Sequence, residues 1–247
     1  MRYAWFTWSV LLLVVWSVVY LSLRSCESRR EMLVVSMWTS LLGLTEPLFV
    51  PAYWNPPSLF DLAQKTGFDI ESLLFSFGIG GLTVVVYEWI FPVRHETLSV
   101  AGRHQPRHRF HVLVLASAPS IFALLLAATR LNPIYSAILS LTGGGLLTWW
   151  CRPDLFRKML VSAFLFLGLY SVYFLSLGAV YPDYVREVWN LHAISGILIL
   201  GVPLEELLFA FTLGFMWSSV YEHLRWQRLG KLAAKDHLGA ARGGRAV

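Results

Sequence analysis

The stretch "GVPLEELLFAF", Gly201–Phe211, sets two adjacent carboxyls, Glu205 and Glu206, in a run that is apolar for many residues on both sides. An ionisable group in such a setting is costly and points to function. Taken out of water, a carboxyl favours its neutral form, so a proton can be held at neutral pH for delivery to a substrate. Glu205 and Phe209 lie four apart and share a helix face, whereas Glu206 points about 100° away. The two neighbours are thus placed for different tasks. The plainer reading makes both of them helix-start acids, because Pro203 suits a first helical turn and the helix dipole favours glutamate there.

The pattern occurs twice. "DIESLLFSFGIGGLTVVVYE", Asp69–Glu88, aligns without a gap to "PLEELLFAFTLGFMWSSVYE", Pro203–Glu222, at an offset of 134, with nine of twenty positions identical. Glu71 answers Glu205 and Phe75 answers Phe209, but Asp69 stands against Pro203 and Ser72 against Glu206. Upstream, Trp54-Asn55 answers Trp189-Asn190, and "RREML" at Arg29–Leu33 resembles "FRKML" at Phe156–Leu160. Glu46 is a further carboxyl at the same end, and His192 follows Trp189-Asn190 within reach of a partner. Glu88 and Glu222, with Tyr87 and Tyr221, read as anchors at the opposite membrane interface.

These residues need a membrane scaffold. The 247-residue chain is 56% hydrophobic and 14% charged, with mean hydropathy +0.58; soluble domains carry about 25% charged residues. Runs able to cross roughly 30 Å of hydrocarbon occupy Ala4–Leu23, Met32–Val50, Phe68–Phe91, Val112–Thr129, Pro133–Trp150, Met159–Tyr181 and Val202–His223. The first lacks a small-residue cleavage site and is expected to be retained. Gly143, Gly144 and Gly145 are expected to admit a neighbouring helix. Gly78-Ile79-Gly80-Gly81 lacks the strand-turn-helix setting of a dinucleotide fingerprint. The segment from Trp189 to Gly201 is too short to span; one straight helix from there to His223 would run about 52 Å. A re-entrant piece broken at Gly201 and Pro203, covering the carboxyls, is expected instead.

Loop charges give the orientation. Arg2, Lys65, Arg130 and Arg186 fall on one side and the other sixteen basic residues on the opposite side. The positive-inside rule puts the N-terminus outside and the C-terminus in the cytoplasm, so the basic charge reports topology, and nucleic acid is not expected as a partner. Cys26 and Cys151, 125 positions apart, form no metal-type spacing, and no metal or disulfide is expected from the sequence. The expected fold is an all-α integral membrane protein with seven transmembrane helices, arranged as two parallel three-helix repeats joined by a linking helix. Its parts are 1–91 and 133–223 for the repeats, 92–132 for a basic loop and the linking helix, and 224–247 for a basic, disordered tail resting on lipid.

Pro203-Leu204-Glu205-Glu206 with Phe209 resembles the PxE(E) motif of the membrane lycopene cyclases of the heterodimeric or fused type. "EPLFVPAYWNPPSLFDL" and "FDIESLLF" also resemble this family, and the likeness runs from about Arg29 to His223. It implies acid-catalysed, redox-neutral closure of lycopene end groups, an isomerase activity that consumes no cofactor. It implies catalytic roles for Glu205, Glu206 and Glu71. Substrate-binding roles fall to Trp54, Trp189, Phe75, Phe209, Glu46 and His192. The expected partners are a lipophilic carotenoid, the lipid bilayer and other carotenoid-pathway enzymes. A proton-coupled transporter, another carotenoid-modifying or prenyl-transferring enzyme, and a carotenoid-binding protein stay open. The first needs acids through the membrane depth, and the prenyl transferase needs aspartate-rich motifs; Gly78–Val84 and Thr212–Ser218 hold no acid, and Asp61, Asp69, Asp154, Asp183 and Asp236 are scattered singly.

Overall fold

A computed structural model of the chain describes residues 3–231. The chain is a helical bundle with two small strand pairs. In order it forms α1 (Ala4–Ser22), α2 (Cys26–Ser40), α3 (Glu46–Phe49), α4 (Leu62–Thr66), α5 (Ile70–Ile90), β1 (Val93–Thr97), α6 (Val100–Arg103), α7 (His111–Ala128) and α8 (Pro133–Cys151). There follow α9 (Phe156–Val180), α10 (Tyr184–Val188), β2 (Leu198–Ile199), β3 (Val202–Pro203), α11 (Leu204–Trp217), α12 (Val220–Arg225) and β4 (Gln227–Lys231).

Among the described residues five helical stretches are long and apolar enough to cross a membrane: Ala4–Ser22, Cys26–Phe49, Ile70–Ile90, Pro106–Ala128 and Pro153–Val180. The run expected as a seventh span is interrupted at Ser218-Ser219, which separates α11 from α12. Leu21, Val112, Leu113 and Val172 are exposed on outer faces, the arrangement of a bundle whose surroundings are apolar.

Packing is organised around two helices. α5 packs against α1 and α2, and α11 packs against α8 and α9. Contacts of α5 with α9 and α11 join these groups, and α7 lies outside against α8. The α5 window is 67% buried against 22% for the one that contains α7, so α5 is the central element. Close helix approach depends on glycine at matching points: Gly80 abuts Thr39 of α2, and a Cβ on Gly214 would come within 2.7 Å of the Ala163 Cα on α9. Gly144 lies against Ala118 of α7.

At one end of the bundle β1 pairs antiparallel with β4, from Val93 opposite Lys231 to Thr97 opposite Gln227. The expectation of a frayed tail therefore gives way to a strand over Gln227–Lys231, because Arg94-His95-Glu96 offers it an edge. Residues 232–247 of that tail lie outside the described residues, as does Arg2.

Candidate active site

At the opposite end the chain turns into α11 through the hairpin of β2 and β3. Leu200 and Gly201 hold φ of 53° and 85°, the paired left-handed conformation that a two-residue hairpin turn requires. The segment before α11 is thus a turn and a hairpin that fold over the helix start. Its Ser195 N–H donates to Glu205 Oε1 at 2.9 Å, and the Tyr135 hydroxyl donates to the same oxygen at 2.7 Å. Glu205 Oε2 is buried with no hydrogen-bond partner among the described residues.

Glu206 is held differently. Its Oε1 accepts from the Tyr53 hydroxyl at 2.6 Å and the Trp189 indole N–H at 3.0 Å, and its Oε2 accepts from the Tyr170 hydroxyl at 2.5 Å. Tyr53 comes from the first half of the chain and the other two donors from the second, so this carboxyl ties the halves together. Glu71 is fully buried at the start of α5; the Leu59 N–H donates to its Oε1 at 2.7 Å, and its Oε2 lacks a partner among the described residues. Glu71 and Glu205 are therefore bound alike, each through one oxygen to a backbone N–H of the preceding loop. The Asp69/Pro203 difference has a local cause: Asp69 caps α5 by accepting the Ser72 N–H at 2.5 Å, while α11 has no side-chain cap.

Trp54 and Trp189 form an antiparallel bridge. The Asn55 N–H donates to the Val188 carbonyl at 2.8 Å and the Asn190 N–H to the Tyr53 carbonyl at 2.9 Å. The two indole rings lie 5.4 Å apart. Trp5 of α1 meets Trp54 edge-on at 4.7 Å and Phe75 at 5.2 Å, and Phe75 is 6.3 Å from Tyr170. Phe209 packs half-buried against the core. Glu46 is buried at the start of α3, and His192 is exposed on a turn; neither shares a hydrogen bond with Glu205 or Glu206 among the described residues. An apolar cavity of about 150 Å³ opens between α1, α5 and α9, lined by Leu12, Val15, Leu82, Phe166, Tyr170 and Tyr173. Tyr170 therefore belongs to both the cavity wall and the Glu206 hydrogen-bond set.

Residues 132–224, which hold the Glu205-Glu206 pair, match the family model described as Lycopene cyclase. Over this stretch the chain is similar to the lycopene cyclase family. The match supports a role in carotenoid cyclisation. Neither the curated proteins nor the solved structures give a match to the chain. The lycopene cyclase match covers α8 to α12 and so takes in Tyr135, Tyr170 and Trp189 beside the two glutamates. Tyr53, Tyr135, Tyr170 and Trp5 were not singled out from sequence. A hydroxyl inside an otherwise apolar run, as at Tyr170, is the signal that marks a buried polar partner.

The other end of the bundle carries a second buried polar cluster. Lys158 Nζ donates to Glu31 at 3.2 Å, to Glu88 at 2.9 Å and to Glu222. His95 Nε2 approaches the same three carboxyls at 3.1, 3.2 and 3.5 Å, and the Ser28 hydroxyl donates to Glu88 at 2.5 Å. Glu88 and Glu222 are therefore buried partners of cations, not interface anchors: the β1–β4 pair and the first turn of α9 cover the helix ends.

Burial disfavours the charged ring of His95, but the Glu222, Glu31 and Glu88 carboxylates, which surround its Nε2, outweigh this and push its pKa up to about 12. A pKa raised on folding adds stability in full below the unfolded value of about 6.5 and loses it as pH climbs toward the folded value. His95→Gln is therefore expected to lower the thermal midpoint most at pH 6. Its gap to the parent should narrow steadily by pH 9, read by melts in detergent. A pH-independent gap would contradict a charged His95.

Proposed function

We propose that this protein is a multi-pass membrane enzyme of carotenoid biosynthesis that closes rings at the linear ends of lycopene or a related acyclic carotene. The observation that carries this reading is the carboxyl pair at the head of α11. Among the described residues Glu205 keeps one buried oxygen unpartnered, and three donors hold Glu206. Beside them lie an aromatic cluster and an apolar cavity.

Glu205 acts as the general acid. Its Oε1 accepts from Tyr135 and Ser195, as a carboxylic acid's carbonyl oxygen does, which leaves Oε2 to carry the proton. That proton goes to the terminal double bond of the end group and leaves a tertiary cation. A double bond further along attacks the cation, a carbon–carbon bond closes the six-membered ring, and the charge moves to the far carbon of the attacking bond. Loss of a proton from the adjacent carbon restores a double bond, so substrate and product are isomers and no electron is exchanged. Trp54, Trp189 and Phe75 face the passing cation with their rings. Glu206, as a carboxylate completed by Tyr53, Tyr170 and Trp189, supplies a fixed counter-charge and takes up the released proton. Glu71 assists from the first half, where Ser72 stands in the place of the second glutamate.

The architecture proposed with this chemistry is seven spans in two parallel repeats. The paired packing of α5 with α1 and α2, and of α11 with α8 and α9, supports it, as does the reciprocal Trp54–Trp189 bridge. The Glu205 end faces outward, with the N-terminus outside and the C-terminus in the cytoplasm. The partners are the carotenoid, the bilayer and neighbouring carotenoid enzymes.

Expression of the whole chain in a lycopene-accumulating host tests the reading. Chromatography and mass spectrometry are expected to show cyclised carotene of unchanged mass; lycopene left intact by a well-expressed chain would oppose it. Tyr170→Phe removes one donor to Glu206, and a hydrogen bond to a charged group is worth about 1.5–3 kcal/mol. Ring closure should slow by roughly tenfold to a hundredfold. An unchanged rate would detach Tyr170 from the chemistry.

A further inference from the structure

His111, Cys151 and His223 are distant in sequence but converge at the β1–β4 end of the bundle. His111 opens α7, Cys151 closes α8 and His223 lies in α12. One ligand atom from each lies within 4.8 Å of the other two. All three residues are buried, at 8%, 0% and 1% exposed. His111 Nδ1 and His223 Nε2 have no hydrogen-bond partner among the described residues. The two rings stand 4.4 Å apart at 86°, and Trp226 stacks on His111 at 3.8 Å and fixes its plane. Two buried imidazole nitrogens without partners beside a buried thiol leave a cost that packing does not explain.

From this geometry we propose that His111, Cys151 and His223 bind a zinc-type transition-metal ion. Imidazole and thiolate are the ligands that zinc takes in tetrahedral sites, with metal–ligand distances of about 2.0–2.3 Å. Tetrahedral ligands at those distances stand about 3.5 Å from one another, so small side-chain rotations close the observed set. Arg152, next to Cys151, spends its charge on both oxygens of Asp154 at 2.9 and 2.7 Å and donates to the Glu222 and Gln227 carbonyls. His108 Nε2 lies 3.0 Å from the Cys151 carbonyl and ties down the end of α8. In the orientation proposed above this is the cytoplasmic end, where thiols stay reduced. The nearby carboxylates Glu31, Glu88 and Glu222 make no comparable site, because the Lys158 ammonium already sits among all three.

The ion would clamp α7, α8 and α12 together, far from Glu205. His223 lies eighteen residues past Glu205, beyond the whole of α11 and the break at Ser218-Ser219, so the ion takes no part in ring closure. The whole chain, purified in detergent without chelator, is expected to carry about one equivalent of zinc. Cobalt exchanged into it should give a thiolate-to-metal charge-transfer band and intense tetrahedral d–d bands, and chelation should lower the melting midpoint. Cys151→Ser should abolish the charge-transfer band, and His223→Asn should lose most of the metal. Cys26→Ser, at an exposed free thiol, should change neither. If substitution at Cys151 prevents folding, the parent and Cys26→Ser spectra decide alone. A parent chain with no stoichiometric metal and no cobalt–thiolate band, or a Cys26→Ser chain that loses both, overturns the site.

Discussion

Under the proposed mechanism Glu205→Gln is expected to leave lycopene uncyclised while the chain accumulates in the membrane at parental levels. The amide keeps the carbonyl that accepts from Tyr135 and the Ser195 N–H, so the hairpin stays closed over α11. What is removed is the acid proton on Oε2. General acid catalysis contributes about 10²–10⁴-fold, enough to turn ring-containing pigment into linear pigment within one growth experiment. Glu71→Gln should cost less, because Ser72 stands where the second half carries Glu206. Equal pigment from parent and Glu205→Gln cultures, at equal protein level, would remove Glu205 from the acid role.

Lys158→Met strips the main cation from three buried carboxylates. Glu31, Glu88 and Glu222 come from α2, α5 and α12, and each lies within 3.2 Å of Lys158 Nζ. Removing one partner of a buried ionic set costs about 3–5 kcal/mol, because uncompensated charge stays behind. His95 alone cannot balance three carboxylates. The expected result is a melting midpoint in detergent lowered by many degrees. Glu222→Gln added to Lys158→Met should recover part of the loss, because it removes one of the orphaned charges. Should Lys158→Met melt with the parent, the cluster is not an ionic lock.

The sequence and structure agree best where one residue type can mean only one thing. The apolar runs at Ala4–Leu23, Phe68–Phe91 and Met159–Tyr181 correspond to α1, α5 and α9 to within a few residues, since a long apolar run has few folded alternatives. The enclosure of Glu205, Glu206 and Glu71 is legible in the sequence because a carboxyl in an apolar run must be buried and bonded. Their partners are not: Tyr53 and Tyr170 reach Glu206 across 153 and 36 positions, a pairing that periodicity does not encode. Glu88 and Glu222 looked like interface residues because they end apolar runs. Their burial depends on Lys158 and on β1 folding over them, and both are long-range events. The break at Ser218-Ser219 carries no proline or glycine to announce it. Cys151 and the two histidines of α7 and α12 showed no sequence spacing because three separate helix ends bring them together.

Ring closure in heavy water tests the central claim most directly. In the proposed mechanism the proton delivered by Glu205 exchanges with solvent before each turnover, whereas the proton lost at the end comes from the carotene. Protein reconstituted with lycopene in deuterated buffer should therefore yield product carrying a single deuterium for each ring closed. Cyclised product without deuterium, or with its yield unaffected by Glu205→Gln, would contradict acid catalysis by this carboxyl pair.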